Sequence, residues 1–313
     1  MRLAVSCLAT LLLSTSALAA PKVIASIVPV HSIVASVMGD IGTPELLLSG
    51  KNSEHTASLS PRQLSDLGKA DVVFMIGAGL EHKLGQVSGS DAVGGKTFTA
   101  LSEVAGIKTL PVRQGGTFEV HEEHEGEEHE GEEHDDHDEA ILKFDPHVWL
   151  DPENVKAMTN AVAADLSKVD PGNAKTYEAN AASYVVSLDK LTADISAETK
   201  PIQNKPFVVF HDAYQYFEKS FGLTAVGSIS DVSAAAPSAK RLNEIRSKLE
   251  ETKAICVFRE PQFDAKYANV VLEGSKAKPG VLDPIGSDLT PGPKAYAELL
   301  TRLAKDAGDC LMN

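Results

Sequence analysis

The chain has little that would hold it to nucleic acid, nucleotide or lipid. Lys and Arg total 29 against 44 Asp and Glu, a formal net charge of −15. No basic stripe stands out, which removes the electrostatic footprint of a nucleic-acid binder. No G-x-G-x-x-G, Walker loop or G-x-S-x-G occurs, so dinucleotide, phosphate-loop and serine-hydrolase readings have no foothold. Aromatic residues make up 5% and include one Trp, so the stretch that carries it stands out. Cysteines number three. Beyond the N-terminal stretch, no apolar run approaches the ~20 residues of a membrane span.

What is present at the start reads as an export signal. Arg2 supplies positive charge, Leu3 to Leu18 is largely apolar, and Ala17-Leu18-Ala19 fits a small-x-small cleavage site. Residues 1–19 are therefore expected to be a signal peptide. The alternative, a membrane anchor, meets an apolar core too short to span. The mature chain is then expected to be exported and soluble. It would keep two cysteines, Cys256 and Cys310. Two thiols in an oxidising compartment most simply form one disulfide, the alternative being two separate buried thiols.

A length of 313 residues suggests about two domains. Short apolar, β-branched runs alternate with helical patterns. Val23–Val30 reads as a strand entering a helix at His31–Met38. Strands follow at Glu45–Leu48 and Val72–Ile76, with a helix opened by Ser60-Pro61 between them. A helix runs from Pro152 to about Lys168. From Pro171 to about Lys200, apolar residues recur in steps of three and four, from Ala174 through Tyr177, Ala181, Tyr184, Leu188 and Leu191 to Ile195. This long helix is about 45 Å at 1.5 Å per residue and can act as a strut, or as a surface helix of one domain. Strand-helix alternation then resumes, with strands at Phe207–Phe210, Ala225–Ile229, Ala254–Phe258 and Val281-Leu282, and a last helix over Pro293–Lys305. The expected fold is α/β: two lobes with mainly parallel, helix-covered sheets, joined by one connecting helix. The boundaries are 20–168, 169–200 and 201–313.

Residues 121–139 hold twelve Asp or Glu and no Lys or Arg, which leaves only three of the fifteen net negative charges to the rest of the chain. His121, His124, His129, His134 and His137 lie among them. With almost no apolar residue, 114–139 is expected to be a disordered loop. Its imidazoles suit several weak metal sites, unless the segment is only a solubilising insertion.

Three other histidines sit at strand ends or tight turns. These are His55 in Ser-Glu-His, His147 in Asp-Pro-His-Val-Trp-Leu-Asp-Pro, and His211 in Phe-His-Asp. Ligands collect at the carboxyl ends of strands in open α/β sheets, so these three are the candidate ligands of one metal ion. His31 reads as a helix-start residue and His82 as solvated helix surface. Arg259-Glu260 is a cleft ion pair or a pair of strand-end charges.

These motifs also carry a resemblance that covers essentially the whole mature chain. Ser-Glu-His at 53–55 with Leu-Ser-Pro-Arg-Gln at 59–63, the 145–152 stretch, and Phe-His-Asp-Ala-Tyr-Gln-Tyr-Phe at 210–217 resemble the three ligand regions of the periplasmic zinc-binding proteins of ABC importers. Phe-Arg-Glu-Pro-Gln-Phe at 258–263 and Leu-Asp-Pro-Ile-Gly at 282–286 match further segments of that family. The resemblance implies Zn²⁺ as the transported ligand, a membrane ABC permease as partner, a periplasmic location, no enzymatic activity and a monomer. It implies His55, His147 and His211 as ligands. Three imidazoles suit Zn²⁺, whereas relatives that handle Mn²⁺ carry a glutamate at the third position. The fourth ligand stays open between Asp283 at the family's carboxylate position, Glu54 beside His55, and water. Two other classes remain in view: a secreted zinc-dependent hydrolase, and a metal-buffering or adhesin protein.

Overall fold

The computed structural model describes residues 20–50, 52–90, 93–94, 96–113, 116–118 and 142–312. The expected signal peptide, most of the acidic segment and its five histidines lie outside these residues.

The first half builds β1 (Val23–Ala25), α1 (Val28–Met38), β2 (Glu45–Leu46), α2 (Pro61–Leu67), β3 (Val72–Met75), α3 (His82–Ser88) and β4 (Thr97–Ala100). The strands pair in parallel in the order β2-β1-β3-β4. α4 (Pro152–Val169) and the 26-residue α5 (Ala174–Thr199) follow. The second half adds β5 (Phe207–Val209), α6 (Gln215–Phe221), β6 (Ala225–Ser228), α7 (Ala239–Thr252), β7 (Cys256–Arg259), α8 (Lys266–Leu272), β8 (Lys278–Val281) and α9 (Ala295–Met312). Its order, β6-β5-β7-β8, repeats the first sheet strand for strand, again in parallel. Each sheet therefore has its topological switch point beside its first strand, where connections leave toward opposite faces.

Local chemistry explains the helix starts. Ser60 caps α2 by accepting from the Gln63 backbone, and Gln63 accepts from the Ser60 backbone in return. Asp151 caps α4 ahead of Pro152, and Ser238 caps α7.

Several expectations are corrected. α1 starts at Val28, so the first strand ends at Ala25 and Pro29 lies in the first helical turn, where its missing N–H costs nothing. Pro171–Asn173 forms a separate 3₁₀ turn before α5. The final helix runs on to Met312. The edge strand β4, Thr-Phe-Thr-Ala, was not visible in the pattern because its few apolar side chains are only partly buried.

One large core runs through both halves. It takes in Val30 and Ile33 of α1, Phe74 of β3, Met158 of α4, Tyr177 and Leu188 of α5, Phe258 of β7 and Leu300 of α9. Each sheet has a smaller core on its other face, around Ile24, Val73 and Leu84 in the first half and Val208, Ile245 and Val257 in the second. α5 packs on α4, α1 and α9, and α9 reaches from β8 back to α1. The long helix thus bridges the halves through one face, which buries Tyr177, Ala181, Leu188, Ile195 and Thr199, while its other face is exposed. Cys256 of β7 and Cys310 of α9 form a disulfide, with Cα atoms 6.3 Å apart. It ties the second sheet to the helix that returns to the first half.

Among the described residues, no helix is long and apolar enough to cross a membrane.

Candidate metal centre

His55 follows β2 in the loop before α2. His147 lies just ahead of a 3₁₀ turn, Val148–Leu150, that feeds α4. His211 stands two residues past the end of β5. Sequence places the first two more than fifty residues from the third, yet the fold brings all three rings together. Their centroids lie 5.1, 5.3 and 5.5 Å apart. The Nε2 atoms face inward, with His147 Nε2 3.3 Å from that of His55 and 3.2 Å from that of His211. A regular tetrahedron with Zn–N bonds of ~2.0–2.1 Å has edges of ~3.3–3.4 Å, so these spacings fit one zinc ion.

Glu54 completes the group. One ligand atom from each of Glu54, His55, His147 and His211 lies within 4.8 Å of all the others. Glu54 is 3% exposed, its Oε1 has no hydrogen-bond partner and lies 3.8 Å from His55 Nε2. Asp283 is engaged elsewhere. Its carboxylate accepts from the backbone N–H of Ile285, Gly286 and Ser287, from the Ser287 hydroxyl and from Gln262 Nε2. That is a turn bound to its own carboxylate. His31 is buried in α1 with Nε2 on the Pro44 carbonyl, and His82 is exposed on α3. The five histidines of the acidic segment lie outside the described residues.

The orientation of two rings comes from buried carboxylates. His147 Nδ1 donates to Asp145 Oδ1 at 2.8 Å, and His211 Nδ1 donates to Glu260 Oε1 at 2.9 Å. Each bond fixes the tautomer that leaves an Nε2 lone pair pointing at the centre. Glu260 therefore serves His211, and Arg259 beside it is exposed. Neither carboxylate was picked out from sequence as an orienting group. The Asp-Pro-His spacing was the available signal for Asp145; Glu260 meets His211 only through the parallel pairing of β5 with β7.

Burial governs the electrostatics. It lowers His55 and His147 well below the usual imidazole value, and the neighbouring imidazoles push the same way. Burial also acts to lower His211, but the charge and hydrogen bond of Glu260 outweigh it and raise the value overall. Burial drives Glu54 up to about 7, against the pull of His211. The centre thus collects two imidazoles that burial holds neutral, a third whose hold on a proton Glu260 strengthens, and a carboxyl with one unpartnered oxygen. A divalent cation relieves that arrangement by accepting the lone pairs and matching the carboxylate charge.

Two matching α/β halves, a long helix packed along one face across them, and a donor cluster drawn from both halves at strand ends and turns define a two-lobed solute-binding protein. The comparisons with known proteins sharpen this. The model of the family described as "Zinc-uptake complex component A periplasmic" matches residues 23–308. The high-affinity zinc uptake system protein ZnuA of Brucella abortus is 42% identical over 92% of this chain and 91% of its own length. The protein of the same name from Paracoccus denitrificans is 37% identical over 96% and 95%. A solved crystal structure of ZnuA superposes with a TM-score of 0.75 at 26% identity, covering 93% of this chain and 99% of that one. The chain belongs to the ZnuA family of periplasmic zinc-uptake components.

Proposed function

We propose that this protein is exported, captures Zn²⁺ between its lobes and delivers it to a membrane ABC permease. Zinc is its cargo, held by Nε2 of His55, His147 and His211 and by the carboxylate of Glu54. The carrying observation is that His147 Nε2 lies 3.2–3.3 Å from Nε2 of His211 and of His55, with two of the three rings already oriented by buried carboxylates. Glu54 is preferred over Asp283 because its oxygen is unpartnered and inside the cluster, whereas Asp283 is saturated by its turn.

Four protein donors around a buried ion leave no open position for an activated water. This favours a carrier over a zinc hydrolase, whose catalytic metal keeps one site free. The unit is expected to act as a monomer. The histidines of residues 121–137 add weak sites that collect zinc, since they lack the preorganisation of scaffold-held rings. The test is a zinc titration against a competing chelator, on intact protein and on protein lacking 121–138. One tight site should persist after the deletion while the weak ones vanish. Loss of the tight site on deletion would make the acidic segment the primary binding element.

A further inference from the structure

The orienting group of His147 is itself held from the other half of the molecule. Asp145 has a partner at every polar position. Its N–H donates to the Leu110 carbonyl at 2.9 Å. Its Oδ1 accepts from the backbone N–H and from Nδ1 of His147. Its carbonyl accepts from the Tyr216 hydroxyl at 2.7 Å, and its Oδ2 accepts from Gln215 Nε2 at 3.1 Å. Gln215 and Tyr216 open α6, the helix that follows the His211 strand end. The Tyr216 hydroxyl also accepts from the Leu110 N–H at 2.9 Å, and Gln215 Nε2 also donates to the Pro111 carbonyl at 3.1 Å. Three residues on from Leu110, Arg113 pairs with Asp212 and Glu218, both buried. The segment 110–113 is therefore laid along α6 by polar contacts on both sides.

Resting on the zinc-site reading above, we propose that Gln215 and Tyr216 are positioning residues for zinc binding by His147. They act through Asp145. Gln215 fixes which oxygen of Asp145 faces His147, because the other oxygen is occupied by its amide. Tyr216 fixes the backbone height of Asp145, because its hydroxyl both donates to the Asp145 carbonyl and accepts from the strand-like segment beneath. One of the ligands that the first half contributes, His147, is thus aimed by the helix that follows the second half's ligand, His211. The three-imidazole geometry exists only while α6 and the Asp145 turn stay docked. Any motion that parts them frees the Asp145 carboxylate to rotate, lets the His147 ring turn and loosens zinc at that ligand.

The test compares Gln215→Leu and Tyr216→Phe with His147→Ala, and with Tyr177→Phe as a control that removes a buried hydroxyl bonded to Asp170 far from the centre. Three quantities are measured: zinc affinity by chelator competition, the visible d–d spectrum of the Co²⁺-loaded protein, and the melting temperature without metal. Outer-shell partners of a metal ligand are worth about 10- to 100-fold in affinity, so each variant should bind zinc about 10-fold more weakly. Their Co²⁺ bands should shift or lose intensity as the His147 ring leaves its position. Tyr177→Phe should lower the metal-free melting temperature with affinity and spectrum intact. If Gln215→Leu and Tyr216→Phe keep wild-type affinity and spectrum while His147→Ala loses binding, the positioning role is wrong and the site stands. A lowered melting temperature with unchanged affinity and spectrum also overturns it, as that is a purely structural effect. If His147→Ala itself binds zinc like wild type, the site reading fails first. Should Tyr216→Phe not fold, Gln215→Leu alone decides, since its side chain is only partly buried.

Discussion

The two halves share one strand order, yet their switch points are filled differently. In the second half, His211 and Glu260 follow the ends of β5 and β7, and the buried carboxylate turns an imidazole toward the centre. In the first half, Ser26 and Ile76-Gly77 follow the ends of β1 and β3. There Glu81 accepts from the Ser26 hydroxyl and from both backbone N–H groups, at 3.1 and 2.8 Å for the latter. Both glutamates are 1% exposed. One therefore closes its switch point with an internal hydrogen-bond knot, and the other keeps its switch point as a ligand mount. The first half supplies His55 and His147 from loops beyond its own strand ends. The same topology thus offers the same crevice twice, and the residues after the strands decide whether it presents an imidazole to the donor cluster or seals the fold.

The largest expected effect tests the ligand mount directly. Replacing His55, His147 or His211 with Ala should each weaken zinc binding by more than about 100-fold, beyond what outer-shell changes cost. His31→Ala and His82→Ala should leave affinity unchanged in the same chelator competition. Wild-type affinity in His211→Ala would erase the contrast between the halves.

Next comes the disulfide, which only the second half carries among the described residues. Replacing Cys256 and Cys310 together with Ala should cost on the order of 2–5 kcal/mol in urea unfolding. Zinc affinity should hold, because the bridge joins β7 to α9 away from the donor cluster. A large affinity loss with little loss of stability would mean that the bridge sets the site geometry.

The comparison sharpens further with the two glutamates. Glu260→Gln should weaken zinc binding about 10- to 100-fold with a small change in melting temperature. Glu81→Gln should do the reverse, lowering metal-free stability while zinc affinity survives. Equal effects from both would show that the switch points are not functionally distinct.

The smallest effect is a slope. Burial pushes Glu81 from an ordinary 4.5 up to about 7, against the hydrogen bonds it receives. Between those values the unfolded chain has lost the Glu81 proton while the native state retains it. Metal-free stability should therefore fall as pH rises from 4.5 to about 7 and level off above. The contribution is at most one proton, about 1.4 kcal/mol per pH unit. Urea unfolding of Glu81→Gln across this range should lack that part of the slope, and an unchanged slope would place the titration elsewhere.

Much of this was legible beforehand, and the reason is local. The β-branched runs of β3 and β5, the Ser60-Pro61 cap and the three-and-four spacing of α5 depend on neighbours a few residues away, so pattern and propensity reveal them. The three histidines were legible because the motifs around them resemble the family's ligand regions; a strand end or rigid turn alone reads as readily as a structural position. The chain by itself also carried the α/β class and the pairing of Cys256 with Cys310. Other features depend on contacts between residues far apart in sequence. Glu54 and Asp283 are both carboxylates near family motifs, and only folding shows one unpartnered at the centre and the other spent on its own turn. Glu81 and Glu260 differ in role because parallel pairing brings them against different neighbours. The large core shared by both halves, with one face of α5 laid across it and α9 returning to α1, arises from long-range packing that no short window of sequence encodes. The aim of His147 is the clearest instance. Its ring is set by Asp145 two residues away, but Asp145 is held by Gln215 and Tyr216, about seventy positions on, and tertiary structure alone brings them into reach.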